Sequence, residues 1–126
     1  GWHQGWNDRV NQAYNDEYEK NMANFIRDIR KDLGAAQLPF VIAETGMSGK
    51  EEKHPRALSL MKAQAAVAAY AEFQGNVAFV GTKEFWRDAA ESPTGHAYHW
   101  NTNAETYYLI GDAMGKAMNK LCLMRN

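Results

Sequence analysis

The run Trp2-His3-Gln4-Gly5-Trp6-Asn7-Asp8 holds the makings of an oxyanion cradle. A glycine followed two positions later by an asparagine can aim a backbone N–H and a side-chain amide the same way. Two such donors stabilise the tetrahedral oxyanion of acyl transfer by about 3–4 kcal/mol each. The plainer reading is a polar turn in which Asn7 or Asp8 satisfies local backbone. Near the other end, Gly95-His96-Ala97-Tyr98-His99-Trp100 carries two histidines. An ordinary imidazole titrates at about 6.5, which suits a general base at neutral pH. The plainer reading there is two solvated loop histidines. A metal site would need Asp88 or Glu91 to fold back as a third ligand, so no metal ligand is expected.

A third polar run, Glu44-Thr45-Gly46-Met47-Ser48-Gly49-Lys50-Glu51, fails two motifs. A nucleophile elbow needs glycine two residues after its serine, where Lys50 stands. A phosphate loop needs an opening glycine and a Ser or Thr after its lysine, where Glu44 and Glu51 stand. The run is expected to form a rim or lid.

The elements that position these runs follow from periodicity. Tyr14, Tyr18, Met22, Phe25, Ile29 and Leu33 recur at steps of three and four, which predicts a helix over 16–33. Residues 38–43 (Leu-Pro-Phe-Val-Ile-Ala) read as a buried strand of the parallel type. Pro55 opens a second helix with Leu58, Met61, Ala65 and Ala68 on its apolar stripe, running to about residue 73. Residues 76–81 form a second buried strand, and 82–100 a long loop of the kind that is usually functional. Thr102-Asn103-Ala104-Glu105 reads as a capping box. The final helix carries Ile110, Ala113, Ala117 and Leu121 on its buried side, with Met114 and Met118 as packing. Alternating helices and strands imply a parallel sheet with right-handed crossovers. The three polar runs then all follow strand ends, where open α/β sheets bind ligands. Trp2-His3 would close a further strand lying largely before residue 1.

The chain has 126 residues, which is a single domain of 1–126. Fourteen basic against fifteen acidic residues leave a net charge of −1. No basic excess exists to bind nucleic acid or an anionic membrane. Its apolar share of 45% excludes disorder, yet no run approaches the roughly 20 apolar residues that span a bilayer. The lone Cys122 excludes an intrachain disulfide.

The opening run resembles a block of the sialate O-acetylesterase-like carbohydrate esterases, within the SGNH hydrolase superfamily. That block reads Trp-x-Gln-Gly followed by a short acidic or Asn-Asp element. Tyr98-His99-Trp100-Asn101-x-Asn103-Ala104-Glu105 resembles the family's final block, which precedes the last helix. The resemblance spans nearly the whole chain. It implies a three-layer α/β/α, flavodoxin-like fold with a parallel sheet, incomplete in this chain. It implies a serine esterase that removes acetyl groups from sugars without a cofactor, in a family whose members are often exported.

Carried over residue by residue, the resemblance makes His99 the base, Asn7 and Gly5 the oxyanion donors, and Gln4 the support of their turn. Trp6 and Trp100 are the expected substrate-binding aromatics. The family's serine lies in a Gly-Gln-Ser-Asn-like block after the first strand. Ser48, Ser59 and Ser92 lack that context, so this chain is expected to be the C-terminal portion of such a domain. Its partners are then the missing N-terminal segment and an acetylated carbohydrate. The acid that orients the histidine is open. Relatives place it after Gln-Gly or three residues before the histidine, where Trp6 and His96 stand here. Asp8, Asp88 or Glu91 could serve, or the site is a dyad. Two other classes compete. One is a non-catalytic carbohydrate-binding or scaffolding module that uses Trp2, Trp6, Trp86 and Trp100. The other is a nucleotide or receiver module, disfavoured by the failed phosphate loop. A thin sheet also leaves an open edge through which copies could associate.

Overall fold

The computed structural model describes residues 1–124. Strands form where the chain is most continuously apolar. Phe40–Ala43 make β1 and Val77–Val80 make β2. They pair in parallel, Phe40 opposite Val77 and Ala43 opposite Val80. Every residue of β1 is buried. A strand covered on both faces has no solvent side to be polar, which is why it reads as an unbroken apolar run. Trp2 bridges to Ile42 on the other edge of β1, also in parallel. Its N–H donates to the Val41 carbonyl at 2.8 Å, and its carbonyl accepts from the Ala43 N–H at 2.9 Å. The lateral order is therefore Trp2, β1, β2, with β1 in the middle.

Among the described residues four α-helices surround this sheet: α1 (Trp6–Val10), α2 (Gln12–Asp32), α3 (Pro55–Ala68) and α4 (Ala104–Leu123). On one face Tyr18, Met22 and Ile26 of α2 and Leu60 and Val67 of α3 pack with Phe40, Ile42 and Val77. On the other, Ile110 of α4 packs with Ala43, Met47 and Trp100. Successive strand side chains point to opposite faces, so β1 feeds both layers. The architecture is a three-layer α/β/α domain whose sheet is narrower than the roughly five or six strands usual for this class. Among the described residues no helix is long and apolar enough to cross a membrane.

The expected stripes shift by a residue or so. The helix expected over 16–33 begins earlier, because the Asn11 side chain caps it by accepting from the N–H groups of Ala13 at 2.9 Å and Tyr14 at 3.3 Å. Tyr14 and Leu33, the ends of the expected stripe, are exposed, and Ile26 and Arg30 are buried instead. Arg30 bends back from the end of α2 and donates to the Leu38 carbonyl at 2.8 Å and to Asn76 Oδ1 at 2.8 Å. It thereby ties the starts of both strands to the helix. In α3 the buried face includes Leu60, Met61, Gln64 and Val67, so the expected Met61 is buried while Leu58 is exposed. The cap of α4 is Asn103, whose Oδ1 accepts from the Thr106 N–H at 3.1 Å. The capping box expected at Thr102 does not form: the cap lies one residue later, and Glu105 pairs with Arg87 at 3.0 Å.

Candidate functional site

The three polar runs meet at the carboxyl ends of Trp2 and β1. They enclose a cleft of about 440 Å³ lined by His3, Gln4, Gly5, Trp6 and Asn7 from the first run. Thr45 and Met47 come from the second, and Tyr98, His99 and Trp100 from the third. Tyr107 of α4 completes the wall.

The first run is shaped by a buried glycine. A Cβ on Gly5 would come within 2.9 Å of Leu60 Cδ2 and 3.0 Å of Thr45 Cγ2. No side chain fits there, so the turn lies directly on α3. It is fastened by Gln64, fully buried in that helix. Gln64 Nε2 donates to the Gln4 carbonyl at 3.1 Å, and its Oε1 accepts from the Thr45 N–H at 2.9 Å. The Tyr18 hydroxyl donates to the same Gln4 carbonyl at 2.8 Å. Burial pushes the Tyr18 phenol up from its ordinary pKa, which keeps it a donor. Gln4 thus supports the turn through its backbone carbonyl; its side chain donates to Asp8 at 2.9 Å. Among the described residues nothing accepts the Gly5 N–H, and no hydrogen bond engages the exposed Asn7 side chain. Both donors remain free for a ligand.

Gln64 reads in the sequence only as an interruption of an Ala-rich run. Its signal was position: an amide placed on the buried face between Leu60 and Val67. Gln64→Leu leaves the Thr45 N–H unsatisfied and cuts one tie to Gln4. Each such buried group costs about 1–3 kcal/mol. A loss of about 3 kcal/mol is expected in urea unfolding; a change below 1 kcal/mol would mean that the turn holds without it.

The second run is an inner wall rather than an outer lid, since Thr45, Gly46 and Met47 are all buried. Thr82, following β2, donates from N to Glu44 Oε2 at 2.9 Å and from Oγ1 to the Glu44 carbonyl at 2.8 Å. A Cβ on Gly46 would stand 2.6 Å from Thr82 Oγ1 and 2.8 Å from the Lys83 nitrogen. Glycine is what lets the two strand-end loops close on each other.

The third run carries exposed His99, with its ring 4.6 Å from that of Tyr98. Tyr98 in turn meets Trp6 at 5.7 Å and stacks with His96 at 5.5 Å. The Arg9 guanidinium lies 4.5 Å above Trp6 and pairs with Glu52 at 2.9 Å. Trp6 is therefore held between Arg9 and Tyr98 where it lines the cleft. Trp100 differs from expectation. It is 1% exposed and packs under His3 and Trp86, so it forms the floor and offers no free face to a sugar ring.

No carboxylate among the described residues bonds to His99. Asp8 receives Gln4 and lines a different groove with Trp2 and Tyr18. Asp88 receives the Trp86 indole N–H at 2.7 Å, and Glu91 sits exposed on a turn at Ala89–Glu91. Among the described residues no three His, Cys, Asp or Glu side chains gather as metal ligands.

His3 and Tyr107 escaped the sequence reading as site residues. The His3 ring tilts against Trp100 at 5.7 Å, and its Nε2 is buried without a hydrogen-bond partner. Burial lowers its pKa below the ordinary 6.5, opposed by a hydrogen bond to the Glu44 backbone. The folded chain therefore favours neutral His3, while the unfolded chain takes up a proton below about 6.5. This contribution is fully present above pH 6.5 and is lost as pH falls from there toward the depressed folded value. Urea midpoints measured from pH 8 to pH 5 are expected to fall less steeply in His3→Gln than in the parent; equal slopes would show that the ring titrates freely.

The family model of carbohydrate esterases described as sialic acid-specific acetylesterases matches residues 2–120. No curated protein sequence and no solved structure matches the chain.

Proposed function

Because the chain belongs to the carbohydrate esterase family of sialic acid-specific acetylesterases, we propose that this cleft is the acyl-transfer site of a sugar O-acetylesterase. The observation that carries the reading is convergence. Gly5 and Asn7 from one end of the chain and His99 from the other line a single cleft beyond the strand ends.

In this reading an attacking serine comes from a segment outside residues 1–126, docked beside the Trp2 edge. None of Ser48, Ser59 or Ser92 lines the cleft. His99 takes the proton from the serine hydroxyl as its oxygen bonds to the acetyl carbonyl carbon. The carbonyl oxygen becomes an oxyanion that accepts from the Gly5 N–H and the Asn7 amide. When the intermediate collapses, the C–O bond to the sugar breaks and protonated His99 returns the proton to the leaving oxygen. Water then repeats the sequence on the acetyl-serine, releasing acetate and restoring the serine. With no carboxylate on His99 among the described residues, the pair works as a dyad, or an acid arrives with the serine-bearing segment. Trp6 and Tyr98 give the sugar a flat apolar wall.

That aromatic wall also fits a non-catalytic carbohydrate-binding module, and one experiment separates the two. The intact protein is incubated with O-acetylated sugars and acetate release is followed. Release supports the esterase reading; sugar binding without release replaces it with the binding module.

A further inference from the structure

Immediately after His99 the chain passes through three consecutive residues with positive φ: Trp100 at 51°, Asn101 at 52° and Thr102 at 58°. None is glycine. Only asparagine among them tolerates this left-handed region with ease. A run of this kind persists where its surroundings over-determine it. Here the Trp100 ring is sealed beneath His3 and Trp86. Asn101, 2% exposed, donates from Nδ2 to the Arg87 carbonyl at 3.0 Å. Its N–H donates to the His96 carbonyl at 3.1 Å, and its carbonyl accepts from the Thr94 N–H at 3.2 Å.

His99 stands at the start of this turn with φ −117° and ψ 29°. Its N–H donates to the His96 carbonyl at 2.8 Å. Its carbonyl accepts from the Tyr107 hydroxyl, at 3.0 Å, reaching back from the first turn of α4. The imidazole itself has no hydrogen-bond partner among the described residues. No hydrogen bond grips the ring, which meets the neighbouring Tyr98 ring at 4.6 Å, so its placement depends largely on the backbone that carries both residues.

We propose that Asn101 and Tyr107 are the positioning residues of this cleft: Asn101 locks the left-handed turn to the Arg87 carbonyl, Tyr107 pins the His99 carbonyl, and together they hold the His99 imidazole in the cleft that Gly5 and Asn7 also line. The effect on rate rests on the esterase reading of His99; the effect on the ring's placement does not.

Two variants test this in the intact protein. Asn101→Gly keeps a backbone that accepts positive φ but removes the amide anchor. Tyr107→Phe removes one hydroxyl from an exposed ring and keeps the fold. The first readout is the His99 Hε1 resonance, assigned by its disappearance in His99→Gln. Both variants are expected to move that signal toward the position of a free histidine or to broaden it. The second readout is kinetic: kcat for an acetylated sugar falls about tenfold or more while KM stays within about twofold, as displacement of a reacting group predicts. An unmoved resonance with unchanged kcat in both variants would overturn the proposal, leaving the anchors a purely structural role. A raised KM at constant kcat in Tyr107→Phe would overturn the role of Tyr107, showing that its hydroxyl meets the substrate. Should the unaltered protein release no acetate at all, the esterase reading falls, and the resonance alone decides: movement upholds the positioning role and its absence ends it.

Discussion

His99→Ala is expected to lower acetate release from an O-acetylated sugar by about 10²–10⁴-fold in kcat, the usual worth of a positioned general base. The substitution costs the fold little, because the side chain is exposed and hydrogen-bonds to nothing among the described residues. What is lost is the acceptor for the serine proton and the acid that returns it to the sugar oxygen. Both roles act while bonds are changing, so KM is expected to stay near that of the parent. His96→Ala is the internal comparison. Its ring stacks on Tyr98, and His96 does not line the cleft, so a small effect is expected. Equal losses in the two variants, or a loss matched by a fallen melting temperature in His99→Ala, would remove His99 from the chemistry.

The choice of His99 over His96 shows what the sequence can and cannot carry. Type and order were legible: a histidine before the last helix, a glycine–asparagine pair after the first bridging residue, and continuous apolar runs for β1 and β2. The strands follow from burial on two faces and the glycine–asparagine pair from turn chemistry, whereas local rules leave His96 and His99 equal and only the family resemblance singles out His99. What was not legible depends on contacts distant in sequence. Gln64 is a polar residue on an apolar face, and only Gln4, Thr45 and Tyr18 explain it. The expected stripe of α3 departs from the structure at Leu58, which is exposed, while Met61 is buried. The buried face of α3 carries Gln64 beside Leu60 and Val67, against the core and the Gly5 turn. Trp100 reads as a sugar platform by type, yet the left-handed turn after His99 drives its ring inward. No propensity rule anticipates three positive φ values in residues other than glycine, because tertiary anchors hold them there. The orienting acid stayed open in the sequence, and the structure brings Asp8, Asp88 and Glu91 to other partners or to solvent.

The oxyanion cradle gives the second large effect. Asn7→Ala is expected to lower kcat by about 10²–10³-fold, or about 3–4 kcal/mol of transition-state stabilisation. Asn7 lies in the first turn of α1, two residues after the glycine that packs against Leu60 and Thr45. Had Asn7 been a turn-former, its amide would bond to nearby backbone, as Asn11 does at the start of α2. It does not, and removing it should leave the unfolding midpoint close to that of the parent. KM should also hold, since the ground-state carbonyl draws far less from the donor than the oxyanion does. Asn7→Asp sharpens the test. The carboxylate keeps the size of the amide but offers no N–H and repels the developing negative charge, so kcat should fall at least as far as in Asn7→Ala. A lowered unfolding midpoint with kcat intact in Asn7→Ala would return Asn7 to the role of a polar turn residue. The cradle would then reduce to the Gly5 N–H, which the packing of the turn on α3 fixes in place whatever stands at position 7.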